Sequence, residues 1–359
     1  MSVKKSKRIF YLDALRTLAI LSVIIVHVYA VTRVYVMADY GVIPSFRWIF
    51  SQFTGNCFRI GVDLFLMLAG ALSLGRVWTI KDFLGKRIPR IVAPFLFWGL
   101  VTGSIAVLLS YYYGFPFIYQ FDMNSLIEFF RGVFLAESPG FDPYWFFWMI
   151  LGTYLIMPIF NKWLLHSELT EAEYFLVFWL ITCLYDNTLN AAFPVKLSYF
   201  TSPIGFVVAG YYLRHTERKL LNNPYFALFM LIVSSAVTMV ATTYLSTAYE
   251  MNVFGRYSIY MAFISMSVFL LFKNFSKFNL KFNERLTNVF KKIVFEMAKY
   301  SYGIYLIQGL FLWIYRKILP YHEFFSNFMA IFILIVVSSM VTMYILDKIP
   351  YVNKLIGAK

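Results

Sequence analysis

Long apolar stretches separated by short polar ones recur from end to end of this 359-residue chain. A helix crossing a bilayer needs roughly 20 mainly apolar residues, because the hydrocarbon is about 30 Å thick and the backbone must satisfy its own hydrogen bonds there. Segments of this kind run from Ile9 to Val31, Phe53 to Leu74, Ile91 to Tyr113, Tyr144 to Trp163, Tyr174 to Leu189, Tyr199 to Leu213, Tyr225 to Leu245, Phe254 to Phe272, Tyr300 to Leu319 and Phe325 to Leu346. The pattern predicts an all-α polytopic membrane protein, a bundle of about ten transmembrane helices. No soluble stretch longer than a loop interrupts the series and no internal repeat is visible, so residues 1–359 read as one integral membrane domain.

Composition agrees: 60% of residues are hydrophobic and only 14% charged, more apolar surface than a soluble domain can hide. The net charge of +14 invites a nucleic-acid reading. The basic residues, however, gather in alternate inter-span segments, which is what the positive-inside rule produces, so no nucleic-acid partner is expected. Lys4, Lys5, Lys7 and Arg8 assign the N-terminus to the cytoplasm, and an even number of spans returns the C-terminus there. The first apolar stretch runs past Arg16 without a small-residue cleavage site and is expected to stay as the first helix. Cys57 and Cys183 sit in neither a CxxC nor a Cys/His pattern, so neither a disulfide nor a metal site is expected.

Two polar segments stand out. Gly114 to Pro143, on the external side of this topology, carries Asp122, Glu128, Glu137 and Asp142 against Arg131 and is positioned to border an external substrate site. Lys273 to Lys299, on the cytoplasmic side, is strongly basic and anchors to the anionic inner leaflet at about 1 kcal/mol per cation.

Ionisable groups within spans cost several kcal/mol unless paired or solvated, which makes them candidates for chemistry. The first helix has three. Asp13 and Arg16 are three apart and can pair, and eleven residues bring His27 within about 20° of the face of Arg16. All three can therefore line one cavity, with Arg16 near the cytoplasmic mouth and His27 about 16 Å further along. A neutral imidazole serves as base or nucleophile near pH 7, and a buried histidine bonded to a neighbouring carbonyl is the plainer alternative. In the second span Arg59 and Asp63 enter at the depth of His27. Asp63 can hold the second imidazole nitrogen while Arg59 steadies a developing oxyanion, or the two form a self-contained pair that aids packing. Lys86, Arg87 and Arg90, at the mouth of the third helix, can clamp phosphates of a nucleotide-like cofactor or simply anchor the topology. No Walker loop, GxSxG elbow, HExxH or GxGxxG fingerprint is present in the right context.

Taken in order, RIFYLDALRTLAILSVIIVH, GVDLFLMLAGAL, KRIPRIVAP, YWFFWMILGTYLIMPI and SYGIYLIQ resemble the motifs of the acyltransferase type 3 family of bacterial membrane proteins, above all its stand-alone members of the enterobacterial common antigen O-acetyltransferase kind. The resemblance runs from residue 8 to about residue 310. It implies about ten spans in a bacterial inner membrane and transfer of an acyl group, commonly acetyl from cytoplasmic acetyl-CoA, to a hydroxyl of a cell-surface glycan or its lipid-linked precursor. Acetyl-CoA would be a substrate, with no permanently bound cofactor and no metal. The family's first-helix Arg and His match Arg16 and His27, the preceding Asp matches Asp13, the GVD aspartate matches Asp63, and the basic motif matches Arg87 and Arg90, beside Lys86.

Two positions depart from the family pattern. The late motif ends in Gln308 where a histidine is usual, and Pro143 and Tyr144 precede Trp145 where a histidine often stands. The roles of those histidines are not carried over, which leaves His27 as the one intramembrane base. Gln308 can still donate and accept hydrogen bonds to a substrate. Tyr144, Trp145 and Trp148 offer rings on which a sugar can stack, or belong to an interfacial aromatic belt. The expected route takes acyl-CoA from the cytoplasm, phosphates at Arg87 and Arg90, thioester past Arg16, to His27, which deprotonates the acceptor or is itself acylated first. The rival classes are a transporter or flippase of a lipid-linked sugar or exopolysaccharide, and a non-enzymatic receptor; neither needs a thioester.

Overall fold

The structure is a computed structural model that describes residues 8–32, 46–189, 203–242, 255, 257–278, 283–319 and 324–358, apart from the side chains of 47, 48, 51 and 52. Lys4, Lys5, Lys7 and His322, and parts of the spans expected from Tyr199, to Leu245 and from Phe254, lie outside the described residues. Among the described residues there are helices and no strand. In chain order they are α1 (Phe10–Thr32), α2 (Phe46–Asn56), α3 (Gly61–Ser73), α4 (Ile80–Tyr113), α5 (Met123–Leu135), α6 (Trp145–His166), α7 (Leu169–Tyr185), α8 (Ile204–His215), α9 (Pro224–Val240), α10 (Ile259–Asn274), α11 (Glu284–Ile318) and α12 (Phe324–Asp347).

Among the described residues six stretches are long and apolar enough to cross a membrane: Phe10–Thr32, Phe53–Ser73, Ile80–Tyr113, Asp142–His166, Ile259–Phe278 and Phe324–Asp347. They coincide with six of the expected spans. The other four fall on α7, α8 and α9, which are shorter, and on α11, whose first half is charged. Outward-facing Phe229, Ile232 and Val237 on α9, and Ile333, Val337 and Val341 on α12, are exposed. So much apolar surface on helices that satisfy their own backbones belongs in lipid, and the chain is a multi-pass membrane protein.

Helix α1 is the hub, packed against α2, α3, α10, α11 and α12. The tightest crossing joins α3 to α8, where a side chain on Gly70 would strike the Val207 carbonyl and one on Gly210 the Met67 carbonyl. Two backbones approach this closely only where both helices lack a Cβ. Between α2 and α3 the chain tightens into a 3₁₀ turn, Cys57–Ile60, which carries Arg59.

Three stretches expected to lie between spans are helical in part. The segment holding Lys86, Arg87 and Arg90 is the first part of α4, started by a cap in which the Asp82 amide donates to Thr79 Oγ1 at 3.1 Å. The basic stretch up to Lys299 contains the first half of α11, which exposes Leu286, Val289, Phe290 and Ile293 on one stripe. The segment from Gly114 to Pro143 is more than a surface loop. Its helix α5 starts at a cap in which Asp122 accepts from the amides of Asn124 and Ser125. It then runs antiparallel to α4, Phe130 covering Gly103 and Phe134 covering Gly99. The chain thus re-enters the bundle, where Tyr144 donates to the Leu306 carbonyl at 3.2 Å.

The ends of α4 and α11 lie together, because Lys317 Nζ donates to the carbonyls of Tyr113 and Gly114. Leu306 is about 18 Å from that end at 1.5 Å per residue, so the returning turn sits deep. Non-helical backbone at such depth survives only inside protein with its polar groups engaged. Ser138 Oγ accordingly donates to Phe129 O, Trp148 Nε1 to Phe134 O and Tyr305 to Pro143 O. A second irregular segment follows α12: Ile356 is buried, and Trp98 Nε1 on α4 donates to its carbonyl at 3.1 Å.

Candidate functional site

Helix α1 brings its charges to the bundle at two levels. At its start Asp13 accepts from Arg8 Nε at 2.7 Å and faces Arg16 at 3.5 Å, so one buried carboxylate serves two guanidiniums. The expected pair with Arg16 is present, and Arg8 makes the shorter contact. Arg8 also donates to the Phe295 carbonyl and lies over the Phe295 ring, tying α1 to α11. The Arg16 side chain keeps 27% of its surface accessible and reaches a cavity.

That cavity encloses about 780 Å³, its open mouth included, and is lined by Arg16, Arg87, Tyr154, Tyr302, Tyr305 and apolar residues of α3, α4 and α6. The hydroxyl of Tyr302 donates to the Ile91 carbonyl at 2.9 Å, closing the seam between α11 and α4. Arg87 donates to Ser73 Oγ at 2.8 Å. On its other side Arg87 lines a cleft of about 520 Å³ shared with Arg76, Lys86, Arg90, Trp78, Phe83 and Asp82. The stacked rings of Trp78 and Phe83 form an apolar flank 4.2 Å apart beside four cations. Burial above all, and then the neighbouring Arg214 and Arg87, push Arg76 below the usual arginine range. Cations in such numbers around a concave surface favour a polyanion.

Further along α1, His27 lines a separate cavity of about 1090 Å³ together with Arg59, Trp145, Val62 and Tyr305. Arg59 is steadied by donating Nε to the Gly55 carbonyl at 3.0 Å. Asp63, one turn on, is wholly buried and accepts from Ser265 Oγ of α10 at 3.0 Å.

The structure therefore brings Arg16 together with Arg87, and His27 together with Arg59 and Trp145. Arg16 and His27 share a helix face but line different cavities, and Asp13 lines neither. Lys86 and Arg90 join Arg87 in the cleft. Tyr144 and Gln308 stand inside the packing, each 2% exposed. The first is held by Leu306 and Thr102, and the second donates to the Tyr305 carbonyl at 3.3 Å. Trp148 faces outward. Glu128 and Glu137 of the acidic segment pair with Arg131 on the surface, at 3.4 and 3.9 Å.

Sequence reasoning missed Arg76, Tyr154, Tyr302 and Tyr305. Tyr154 stands inside the fourth motif quoted above and Tyr302 and Tyr305 inside the fifth, where a polar hydroxyl amid apolar residues is the available signal. Arg76 follows the second motif by four residues, in a turn whose Gly75 amide and Arg76 carbonyl are both held by Asn161 of α6. The free thiols Cys57 and Cys183 are both buried.

The comparisons with known proteins agree in scope with this picture. A family model described as an acyltransferase domain matches residues 9–348, nearly the whole chain. No curated protein and no solved structure matches it.

Proposed function

We propose, from the premise that this chain belongs to the acyltransferase family it matches over residues 9–348, that it moves an acetyl group from acetyl-CoA to a hydroxyl of a cell-surface glycan or its lipid-linked precursor. The observation that carries the reading is the series of three spaces. The cationic cleft of Arg76, Lys86, Arg87 and Arg90 meets the Arg16 cavity at Arg87, and the Arg16 cavity meets the His27 cavity at Tyr305.

In this reading the phosphates of the donor lie among the cations of the cleft, and the slender pantetheine arm enters the Arg16 cavity. Arg16 is held in place by Asp13 and borders the way by which the thioester reaches His27, where Arg59 in the same cavity offers its guanidinium to the carbonyl oxygen as negative charge develops. His27 supplies the imidazole. It takes the proton of the acceptor hydroxyl, whose oxygen then bonds to the acyl carbon as the C–S bond breaks and the thiolate is protonated; alternatively, its nitrogen takes the acyl group first and passes it on. Arg59 and Trp145 border the space left for the acceptor, a guanidinium and a ring suited to sugar hydroxyls and sugar faces. The cleft faces the cytoplasm and the His27 cavity the outside of a bacterial inner membrane, both termini being cytoplasmic, as the positive-inside rule assigns.

A flippase would need one continuous passage wide enough for a whole lipid-linked sugar, and a single side chain between two spaces favours passing only an acyl group. The test is transfer of labelled acetyl from acetyl-CoA to membrane glycan by vesicles carrying wild type or His27→Ala, with folding checked in detergent. Label incorporated by wild type alone is expected. Equal incorporation by both would remove His27 from the chemistry, and none by either would favour transport or another donor.

A further inference from the structure

We infer that the ring of Tyr305 is a septum that keeps water on the His27 side away from the donor thioester, and so decides whether the acyl group reaches an acceptor or is lost to hydrolysis. The inference deepens the acetyl-CoA reading and rests on it for its chemistry, though not for its geometry.

Among the described residues Tyr305 is the only one that lines both the Arg16 cavity and the His27 cavity. It is 3% exposed and belongs to the middle of α11. One face of the partition is aromatic: the Phe146 ring lies 5.1 Å from that of Tyr305, and Phe65 lies 6.0 Å from Phe146. On the other face stand Trp145 and Val62. The Tyr305 hydroxyl donates to the carbonyl of Pro143, on the turn that re-enters the bundle, so the ring is latched to a second element. This gives the buried return of the chain a purpose that a surface loop could not serve.

The chemistry makes a seal necessary. An imidazole able to deprotonate a sugar hydroxyl deprotonates water as well. Water oxygen would then bond to the acyl carbon, the C–S bond would break, and the products would be the free carboxylic acid and the CoA thiol. A closed partition suppresses this side reaction until an acceptor fills the His27 cavity. Productive transfer requires the ring to tilt and release Pro143.

The test uses the full chain in proteoliposomes in two arms. In the first, acceptor-independent release of CoA thiol from acetyl-CoA is measured for wild type, Tyr305→Phe, Tyr305→Leu and Tyr305→Ala. Hydrolysis should rise on the order of tenfold in Tyr305→Ala, less in Tyr305→Leu, and least in Tyr305→Phe, which keeps the ring and loses only its latch to Pro143. An unfolded chain carries no assembled site, so a gain of hydrolysis reports an opened site rather than a lost fold. The second arm needs no acetyl-CoA chemistry: Ala69→Cys, in a chain with Cys57 and Cys183 replaced by Ser, is exposed to a membrane-impermeant maleimide from the His27 side. Labelling should be slow with Tyr305 and fast with Tyr305→Ala or Tyr305→Leu. Equal labelling with and without the ring overturns the septum whatever the turnover. Unchanged hydrolysis in Tyr305→Ala despite faster labelling overturns its protective role. Tyr305-dependent labelling with no acetyl-CoA turnover by any form supports the partition and overturns the donor reading instead.

Discussion

Replacing Arg87 with glutamine should weaken donor binding more than any other single change in the cleft. Arg87 lines both the cationic cleft and the Arg16 cavity, whereas Lys86 and Arg90 line the cleft alone. It is half-buried, and its donation to Ser73 Oγ fixes the guanidinium while leaving further N–H groups for a phosphate. Lys86 and Arg90 are exposed. A charge-assisted bond from a fixed, partly desolvated donor contributes about 1.5–3 kcal/mol, which is about 10- to 150-fold in affinity. An exposed cation contributes up to about 1 kcal/mol, or about fivefold. Affinity for CoA in nanodiscs, measured at about 0.1 M and about 1 M salt, separates the two, since the Debye length falls from about 10 to about 3 Å over that range. The Lys86→Gln and Arg90→Gln penalties should nearly vanish at high salt and most of the Arg87→Gln penalty should persist. An Arg87→Gln protein that binds like wild type, or a Lys86→Gln penalty as large and as salt-resistant, would refute this account of the cleft.

Other outcomes follow from the packing. Gly210→Val should cost at least about 1–3 kcal/mol, because the new side chain meets the Met67 carbonyl of a backbone with no room to yield. Gly152→Ala, with open space at its Cβ position, should gain about 0.5–1 kcal/mol, and thermal unfolding in detergent reads both. Asn161→Ala should cost about 1–3 kcal/mol by stranding the Gly75 amide and the Arg76 carbonyl, with a loss of CoA affinity as the turn carrying Arg76 loosens. Removing residues 349–358 should lower the melting temperature and expose Trp98 to quenchers, since that segment buries Ile356 against it. Hydrogen bonds from the Ser125 hydroxyl and amide hold the Asp122 carboxyl below its usual range. Its capping of α5 is therefore fully present above about pH 3.9 and fades as pH falls through the lower folded value. Asp122→Ala should speed amide exchange in the first turn of α5 near neutral pH, and Asp122→Asn should do so far less.

Much of this was legible in one dimension. Apolar run length is a local property, and six of the expected spans coincide with helices able to cross a bilayer. The basic cluster of Lys86, Arg87 and Arg90 was equally plain, because a charge beside an apolar run has few places to go. Even the shared face of Arg16 and His27 follows from the helical period. That period, however, does not say whether a face opens onto one space or two. The rise of about 16 Å between them is interrupted by Tyr305, a residue 278 positions after His27 in the chain.

The remaining features depended on contacts between distant segments. Nothing local distinguishes a polar stretch on the surface from one that turns back into the bundle. The segment from Gly114 to Tyr144 does so because Phe130 and Phe134 fit over Gly103 and Gly99, and because α11 supplies carbonyl and hydroxyl partners for its backbone and for Tyr144. Likewise Tyr144 and Gln308, which composition offers equally to substrate or to packing, are taken by packing once α4 and α11 close around them. The sequence by itself determined that the chain enters a membrane and which charges it carries there, since both follow from the transfer free energy of each segment alone. Only the tertiary structure decided which of those charges face the same space, because helix contacts across more than a hundred residues, and the single ring between two cavities, set that.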